Sequence, residues 1–450
     1  MTTRAEAPTE RTVWRIAFVI VFGAFASGLD ASLTNIGLST IGTDLHAGLA
    51  DVQWVANGYL VAMAVSLPLC GWLSRRVGAG RLWLSALASF TVASGLCATA
   101  TGLTWLVALR IGQGLAAGLL IPAGQTVLGQ AVGKDRLGRT MSTLGIVVAL
   151  APALGPVIGG VLLHSLTWPW LFLINVPIGV AGMVLGLRIV PRGSRGARKP
   201  LDWLGFGSIG AGLPLLLYGL TAPAVLPLTF GVIALVAFGV RTVRRPNPLL
   251  DLTVYRNRGY LLATVAAGCA GALMFGSALI FPLYFENLHN DPALNAGIRL
   301  LALGVGTSVT VPVAGRLTDR YDGGSIALLG SGCALATTIP FAFIGADANP
   351  ILIEILLALF GMAIGLTAAP PGIAAFKAVR SDQLPDATTQ ISIVQRVGGA
   401  LGGTMFAVVL ADNQANGQLS AFHGTFYWLI GTAALTVAAS YFLHRFRPRR

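Results

Sequence analysis

The sequence predicts an all-α membrane protein of about fourteen transmembrane helices, with both termini in the cytoplasm. Of its 450 residues, 55% are hydrophobic and only 10% are charged, and the mean hydropathy is +0.75. A soluble domain does not need so much apolar surface. Apolar segments of roughly 20 residues, the length that crosses a bilayer core, recur along the whole chain and leave room only for short loops.

The charges between the apolar segments predict the orientation. Connecting segments alternate between a basic set and a set with acidic residues and essentially no base. Lys and Arg stay in the cytoplasm during insertion, so the basic set marks the cytoplasmic side. The basic set holds Arg75, Arg76, Arg81, Lys134, Arg136, Arg139, Arg188, Arg192, Arg195, Arg198, Lys199, Arg241, Arg244, Arg245, Arg256, Arg258, Arg316, Arg320, Lys377 and Arg380, and the other holds Asp44, Asp51, Glu286, Asp291, Asp347 and Asp412. The net charge of +13 then reflects topology and contact with anionic lipids rather than nucleic acid.

The apolar segments predict helices in order along the chain. They span 14–36, 53–74, 82–100, 104–126, 139–164, 170–190, 203–221, 225–241, 258–285, 293–315, 325–345, 350–374, 388–411 and 423–444. The pair 203–221 and 225–241 is alternatively one re-entrant hairpin, since the stretch that joins it is short and contains proline. Two separate spans keep the charge alternation intact on both sides.

Two similar turns divide the chain into halves. Gly71-Trp-Leu-Ser-Arg75-Arg76-Val-Gly78 follows the second helix, and Gly315-Arg-Leu-Thr-Asp319-Arg320-Tyr-Asp-Gly323 follows the tenth. Parallel halves of this kind surround a midplane cavity in transporters. We therefore expect a six-helix bundle over 1–190, a linker and two extra helices over 191–250, and a second six-helix bundle over 251–450.

Several motifs, in order and at their spacings, resemble one branch of a known family. The chain is similar to the 14-helix drug:proton antiporters of the major facilitator superfamily over nearly its whole length. The motifs are Leu29-Asp30-Ala-Ser-Leu-Thr-Asn35, Arg110-Ile-Gly-Gln113-Gly114, Gly155-Pro156-Val-Ile-Gly159-Gly160, Trp168-Pro-Trp170 with Asn175-Val-Pro177-Ile-Gly179, and the segment 248–256. The resemblance implies the major facilitator fold, two six-helix bundles plus two extra helices.

One position departs from the family pattern. Arg75 stands where the first cytoplasmic turn normally has Asp, whereas the second turn keeps Asp319. Either gating depends on the second turn, or Arg75 has an acidic partner elsewhere. The predicted gating turns comprise Gly71, Arg75, Arg76, Gly315, Asp319 and Arg320.

Two intramembrane charges are the leading candidates for proton coupling. An Asp at the middle of a transmembrane helix makes insertion into the membrane unfavourable by about 3 kcal/mol on insertion scales. Asp30 lies near the middle of the first predicted helix. A carboxyl group in low dielectric can bind and release a proton near neutral pH. Alternatively, Asp30 is bonded locally to Ser32 or Thr34. Arg110, by resemblance, takes part in proton coupling; alternatively it ties backbone carbonyls or Gln113.

Two further carboxylates are weaker candidates. Glu286 and Arg299 lie at the outer ends of successive helices. Either Glu286 attracts cationic substrate or relays protons, with Arg299 setting its charge, or the two form an interfacial salt bridge of small net value. Glu354 lies early in the twelfth helix and faces either the cavity or the outer interface. Arg396 is interpreted as packing or lipid anchoring.

Glycines and cavity residues complete the predicted site. Gly155, Pro156, Gly159 and Gly160 form the antiporter motif, in which missing side chains allow close helix approach. Gly114 and Gly118, and likewise Gly398 and Gly402, repeat the spacing and predict plain packing. The candidate substrate cavity comprises Asn35, Trp54, Asn57, Tyr59, Gln113, Gln125, Tyr284 and Phe285; for each, ordinary helix packing remains an alternative.

The sequence thus predicts a proton-coupled exporter of amphipathic, cationic compounds that works by alternating access in the inner or plasma membrane. No reactive constellation indicates an enzyme, and the sequence predicts neither a cofactor nor a metal. The expected partners are a small-molecule substrate, protons and membrane lipids, with no nucleic acid, and the chain is expected to be a monomer. A proton-coupled importer of a small metabolite and a non-transporting sensor or lipid-handling scaffold are the alternatives.

Overall fold

The computed structural model describes residues 10–132, 136–193, 200–221, 224–245, 248–288, 293–345, 349–413 and 417–446. Within these residues the chain is helical. Seventeen α-helices are formed: α1 Glu10–Asp44, α2 Leu49–Val52, α3 Trp54–Ser66, α4 Leu69–Val77, α5 Ala79–Cys97, α6 Leu103–Ala131, α7 Leu137–Ser165, α8 Trp170–Leu173, α9 Asn175–Ile189, α10 Trp203–Thr221, α11 Val225–Arg244, α12 Arg258–Leu283, α13 Ala293–Arg320, α14 Gly323–Thr338, α15 Pro350–Ala378, α16 Leu384–Asn413 and α17 Gln418–Arg445. Short 3-10 helices cover Leu252–Arg256 and Ile339–Ala342, and a π-helical turn covers Tyr284–Leu288.

Each of the fourteen predicted spans falls on a helix, and most of these helices are long and apolar enough to cross a membrane. Among the described residues, 11 helices are long and apolar enough to cross a membrane. The number rises to 12 if α3 and α4, which meet at a 58° bend, form one span. The predicted spans 82–100 and 139–164 form α5 and α7, which are not among those 12. The structure therefore supports an all-helical bundle with 11 or 12 candidate spans.

The sequence explains the bend between α3 and α4. Pro68 lies at the junction, and proline lacks the amide hydrogen that would continue the helical ladder. The span predicted as one helix over 53–74 is therefore broken. Beyond the bend, α4 ends at Gly78, whose φ of 94° lies in the left-handed region that glycine tolerates.

The helices form two compact units. The first contains residues up to Pro214, Ala237–Asp251 and Ser381–Thr389; the second contains Leu215–Val236, Leu252–Arg380 and the chain from Gln390 onward. In the first unit α6 packs against α1, α3 and α5, and α9 packs against α1 and α5. In the second unit α15 packs against α12, α13 and α14, and α17 packs against α12 and α14. The same set of neighbours thus occurs twice.

Glycines produce the same close approach in each unit. A Cβ on Gly114 of α6 would lie 2.3 Å from the Tyr59 carbonyl oxygen of α3. A Cβ on Gly361 of α15 would lie 2.1 Å from the Leu303 carbonyl oxygen of α13. Helices in a membrane associate through such close packing of small residues. The packing role predicted for Gly114 is confirmed.

Candidate functional site

A fully buried polar network lies inside the first unit. Asp30 of α1 and Arg110 of α6 both have no exposed surface. Arg110 Nη1 donates to Asp30 Oδ2 at 2.5 Å, so the two residues form an ion pair. Removing two charges from water is expensive, and such a pair persists only with good geometry and additional hydrogen bonds.

The remaining acceptors of Asp30 are satisfied by two amide side chains. Gln113 Nε2 donates to Asp30 Oδ1 at 3.0 Å, and Asn175 Nδ2 donates to the same oxygen at 2.8 Å. Asn175 Nδ2 also lies 3.2 Å from Ser94 Oγ. Three helices, α1, α6 and α9, therefore meet at one carboxylate, and Ser94 of α5 joins the network through Asn175.

Arg110 is held from several sides. Its Nε donates to the Val55 carbonyl oxygen at 3.0 Å, and its Nη1 donates to Gln113 Oε1 at 2.7 Å. The guanidinium carbon lies 4.1 Å from the ring centroid of Tyr59 and 5.5 Å from that of Phe172. Aromatic faces attract a cation most strongly where water is excluded. Arg110 is therefore a fixed positive charge rather than a side chain that extends to the membrane surface.

The contacts of Asp30 and Arg110 bear on whether each is bound locally or takes part in an ion pair. The Thr34 hydroxyl donates to the backbone carbonyl of Asp30 at 2.8 Å, whereas the carboxylate is bound by Arg110 and two amides from other helices. Arg110 does bond Gln113 and a backbone carbonyl, as one alternative expected, and it pairs with Asp30 at the same time. A structural contact and an ion pair thus coexist at Arg110.

The antiporter motif lies beside this network. A Cβ on Gly155 of α7 would lie 2.0 Å from Ser32 Oγ of α1, two residues beyond Asp30. A Cβ on Gly159 would lie 3.2 Å from Leu33 Cδ2, a tight contact with a flexible side chain, and a Cβ on Gly160 would meet nothing within 4 Å. The side chain of Pro156 lies outside the described part of the structure. Close approach of α7 to α1 therefore depends mainly on Gly155.

The other predicted residues are distributed over both units. Tyr59 and Gln113 belong to the buried network, whereas Asn35, Trp54 and Asn57 are exposed and Gln125 is half-buried. In the second unit Glu286 and Glu354 are exposed. Arg299 places its guanidinium carbon 5.5 Å from the ring centroid of Phe285. Tyr284 and Phe285 are buried in an aromatic cluster with Phe281, Phe341, Phe360, Phe422 and Phe426.

The two predicted gating turns contain ion pairs of opposite sense. Arg75 is paired with Asp386, which begins α16 and belongs to the same compact unit, and it donates to the Leu249 carbonyl oxygen at 3.2 Å. Asp386 is only 4% exposed. In the second unit Asp319 pairs with Lys377 Nζ at 2.9 Å. Arg75 therefore has an acidic partner, which was one of the two possibilities predicted for it.

Two exposed cations stack on neighbouring aromatic rings in these turns. The guanidinium carbon of Arg76 lies 4.8 Å from the ring centroid of Trp72, and that of Arg320 lies 5.5 Å from that of Tyr321. A Cβ on Gly71 would lie 2.7 Å from Asp386 Oδ1, so a larger residue there would displace the side chain that pairs with Arg75. Gly315 is buried.

A third ion cluster joins the ends of α10 and α11. Asp202, directly before α10, accepts hydrogen bonds from Arg241 Nη2 at 2.9 Å and from Arg245 Nη1 at 2.6 Å. Burial raises the pKa of Asp202, but the hydrogen bonds from Arg241 and the Gly205 amide and the positive charges of Arg241 and Arg245 outweigh it and hold the pKa below its usual range. This cluster was not predicted from the sequence.

The residues missed by sequence reasoning share one property. Asn175, Ser94, Asp386 and Asp202 acquire their roles through partners distant in sequence. Asn175 had one signal, since it belongs to a motif that carried the resemblance. Among the described residues, no group of His, Cys, Asp or Glu is arranged to hold a metal ion.

Repeated helical packing and a buried charge network in apolar helices define a polytopic membrane transporter. The family profile of the Major Facilitator Superfamily matches residues 20–403, and the chain belongs to this family. It is accordingly a multi-pass protein of the inner membrane and a transporter, not an enzyme.

Individual relatives and structures agree with this assignment. The Multidrug resistance protein B homolog of Mycobacterium tuberculosis is 31% identical over 410 residues, which cover 88% of this chain and 76% of that protein. The Riboflavin transporter RibZ of Clostridioides difficile is 25% identical over 431 residues, covering 95% and 94%. The solved structure of the proton:xylose symporter XylE aligns with a TM-score of 0.68 at 14% identity, covering 98% of this chain and 97% of that one, and it supports the fold alone.

Proposed function

We propose that this transporter exports amphipathic, cationic compounds in exchange for protons, and that Asp30 is its proton-binding group. The observation that carries the proposal is the ion pair between Asp30 and Arg110, both fully buried within apolar helices. A buried ionisable residue inside a membrane protein marks a functional site by default.

The coupling follows from the charge balance of the network. With Asp30 ionised, its negative charge offsets Arg110 and all its acceptors receive hydrogen bonds. Protonation removes that offset and leaves Arg110 as an uncompensated buried cation, which is unfavourable. The two protonation states therefore favour different arrangements of α1 and α6, and a proton shifts the conformational equilibrium through this difference alone.

A transport cycle can be built on this switch. On the outside, proton uptake by Asp30 weakens substrate binding; on the inside, proton release restores it. The exposed Asn35, Trp54 and Asn57 supply polar and aromatic surface for substrate. Glu286 and Glu354 remain secondary candidates for proton transfer.

The proposal includes the topology derived from the charges. Both termini lie in the cytoplasm, and the chain crosses the membrane fourteen times. Residues 1–190 and 251–450 form the two six-helix bundles, and 191–250 form the linker and the two extra helices. The protein acts as a monomer surrounded by lipid. The direction of transport rests on the antiporter motif, in particular the packing of Gly155 on α1, and on the similarity to a multidrug resistance protein.

The test is uptake of the cationic dye ethidium into inside-out vesicles with an imposed pH gradient, acid inside. We expect parent protein to accumulate dye and Asp30→Asn to lose accumulation while it still moves dye down its gradient. Asp44→Asn is the matched control, because Asp44 lies on the same helix, at its exposed end, where it accepts from Trp168 Nε1 at 2.6 Å. If Asp30→Asn accumulates dye as well as the parent, Asp30 is not the coupling group, and Glu286 and Glu354 are tested next.

A second candidate function is proton-coupled import of a small metabolite. The similarity to a riboflavin transporter over 95% of the chain favours it. Riboflavin uptake into right-side-out vesicles, driven by an inward proton gradient, would support import. If the parent accumulates ethidium and takes up no riboflavin, import is excluded for that compound.

A further inference from the structure

The buried network around Asp30 includes the neutral side chain of Asn175, which has a buried oxygen without a hydrogen-bond partner among the described residues. Asn175 is fully buried at the start of α9, and its Nδ2 donates both to Asp30 Oδ1 and to Ser94 Oγ. Its Oδ1 is buried and has no hydrogen-bond partner among the described residues. An unused buried acceptor is unfavourable, so its retention calls for an explanation.

Asp30 needs a different neighbour in each protonation state. As a carboxylate it only accepts hydrogen bonds, and as a carboxylic acid it also carries one donor. Arg110 has donors alone and cannot accept from that group. Gln113 Oε1 is already occupied by Arg110 Nη1 at 2.7 Å and by Cys97 Sγ at 3.7 Å.

We propose that Asn175 is the positioning residue that stabilises Asp30 in both protonation states, donating through Nδ2 to the carboxylate and accepting through Oδ1 from the carboxylic acid. The exchange is a rotation of the amide by half a turn. Ser94 permits it, because its hydroxyl, which now donates to the Phe172 carbonyl oxygen at 2.9 Å, can instead donate to Asn175 Oδ1. This inference rests on the proposed role of Asp30 in proton coupling.

Few other groups can produce a pH dependence at this place. Helix α8 has no ionisable residue, and the ionisable residues of α7 and α9 lie at helix ends. Among the described residues, the ionisable groups in contact with Asp30 or its partners are Arg110 of α6, Cys97 of α5 and Tyr59 of α3. Arg139, His164 and Arg188 lie at the ends of α7 and α9.

Removing the Asn175 amide should favour the protonated form of Asp30. Hydrogen bonds to a charged acceptor contribute more than those between neutral groups, so the carboxylate loses more than the acid. Asn175→Leu, which keeps the size and lacks both polar atoms, should raise the midpoint of Asp30 protonation by about one pH unit. Asn175→Ser, which can both donate and accept, should restore part of that shift.

The measurement is an infrared pH titration of the purified full chain, following the carboxylic acid carbonyl band. The band is assigned to Asp30 by its loss in Asp30→Asn. The control is Asn413→Leu, since Asn413 donates to the Val409 carbonyl oxygen of its own helix, lies in the second unit and should leave the midpoint unchanged. A band that persists in Asp30→Asn overturns the coupling site itself. A band assigned to Asp30 whose midpoint is the same in Asn175→Leu overturns the role of Asn175 alone.

A measurement on the parent protein covers the case in which the Asn175 variants do not fold. Asparagine labelled with ¹³C at the side-chain carbonyl should show a frequency change as Asp30 is protonated, and the change should be absent in Asp30→Asn. No change in labelled parent protein overturns the proposal.

Discussion

The contact between α3 and α6 yields a sharp prediction, because two glycines on α6 differ in their surroundings. A Cβ at Gly114 would lie 2.3 Å from the Tyr59 carbonyl oxygen, whereas a Cβ at Gly112 would meet nothing within 4 Å. Gly114→Ala must move α3 and α6 apart by about 0.7 Å to reach a tolerable contact, and such overpacking is unfavourable by about 1–3 kcal/mol. Gly112→Ala should instead gain up to about 1 kcal/mol of helix propensity.

Moving α3 away from α6 also affects the hydrogen bond of Arg110 to α3. The Arg110 Nε to Val55 carbonyl distance of 3.0 Å would lengthen to about 3.7 Å, which is no longer a hydrogen bond. We expect Gly114→Ala to lower both the melting temperature in detergent and pH-driven dye accumulation, and Gly112→Ala to lower neither. Equal stability and equal transport in the two variants would refute this account of the α3–α6 contact.

Two further predictions concern ion pairs outside the buried network. The single substitutions Arg75→Asp and Asp386→Arg should each destabilise the protein by about 1–2 kcal/mol after solvent screening. The double variant that exchanges the two charges should recover most of the stability and transport. A double variant as impaired as both single variants combined argues against the ion pair. Asp202→Asn removes a charged acceptor from Arg241 and should lower stability by about 1.5–3 kcal/mol at neutral pH. Because the pKa of Asp202 is lowered on folding, the stabilisation is complete above the unfolded value of about 3.9 and disappears as pH falls through the lower folded value. A difference in melting temperature that is independent of pH would contradict this assignment.

The sequence allowed the helices to be predicted better than the contacts. Apolar length and charge alternation depend on local composition, so every predicted span falls on a helix. The bend after α3 was missed, although Pro68 was a visible signal. Charge alternation predicts orientation only, and the number of membrane crossings beyond 12 stays a prediction.

The site was predicted in part for a similar reason. Asp30 and Arg110 were recognisable because charges inside apolar helices are rare. Their pairing was not, since 80 positions separate them and nothing local determines which faces of α1 and α6 meet. The partner of Arg75, 311 positions away, was equally inaccessible, and only the unexpected charge at position 75 indicated that a partner was needed.

The repeated packing explains why we assign the proposed proton coupling to the first unit. Gly114 and Gly118 of α6 contact α3, and Gly361 and Gly365 of α15 contact α13 in the same way, which aligns the two helices residue by residue.

In that alignment Arg110 and Gln113 correspond to Leu357 and Phe360. Both of these are fully buried in the aromatic and aliphatic core of the second unit. Helix α12, the counterpart of α1, contains no acidic residue. The second unit thus keeps the glycine contacts and replaces the charged network with apolar packing. Because the polar partners of Asp30 all come from helices of the first unit, protonation of Asp30 alters the internal free energy of that unit directly. Leu357 and Phe360, at the positions equivalent to Arg110 and Gln113, have no group that responds to pH.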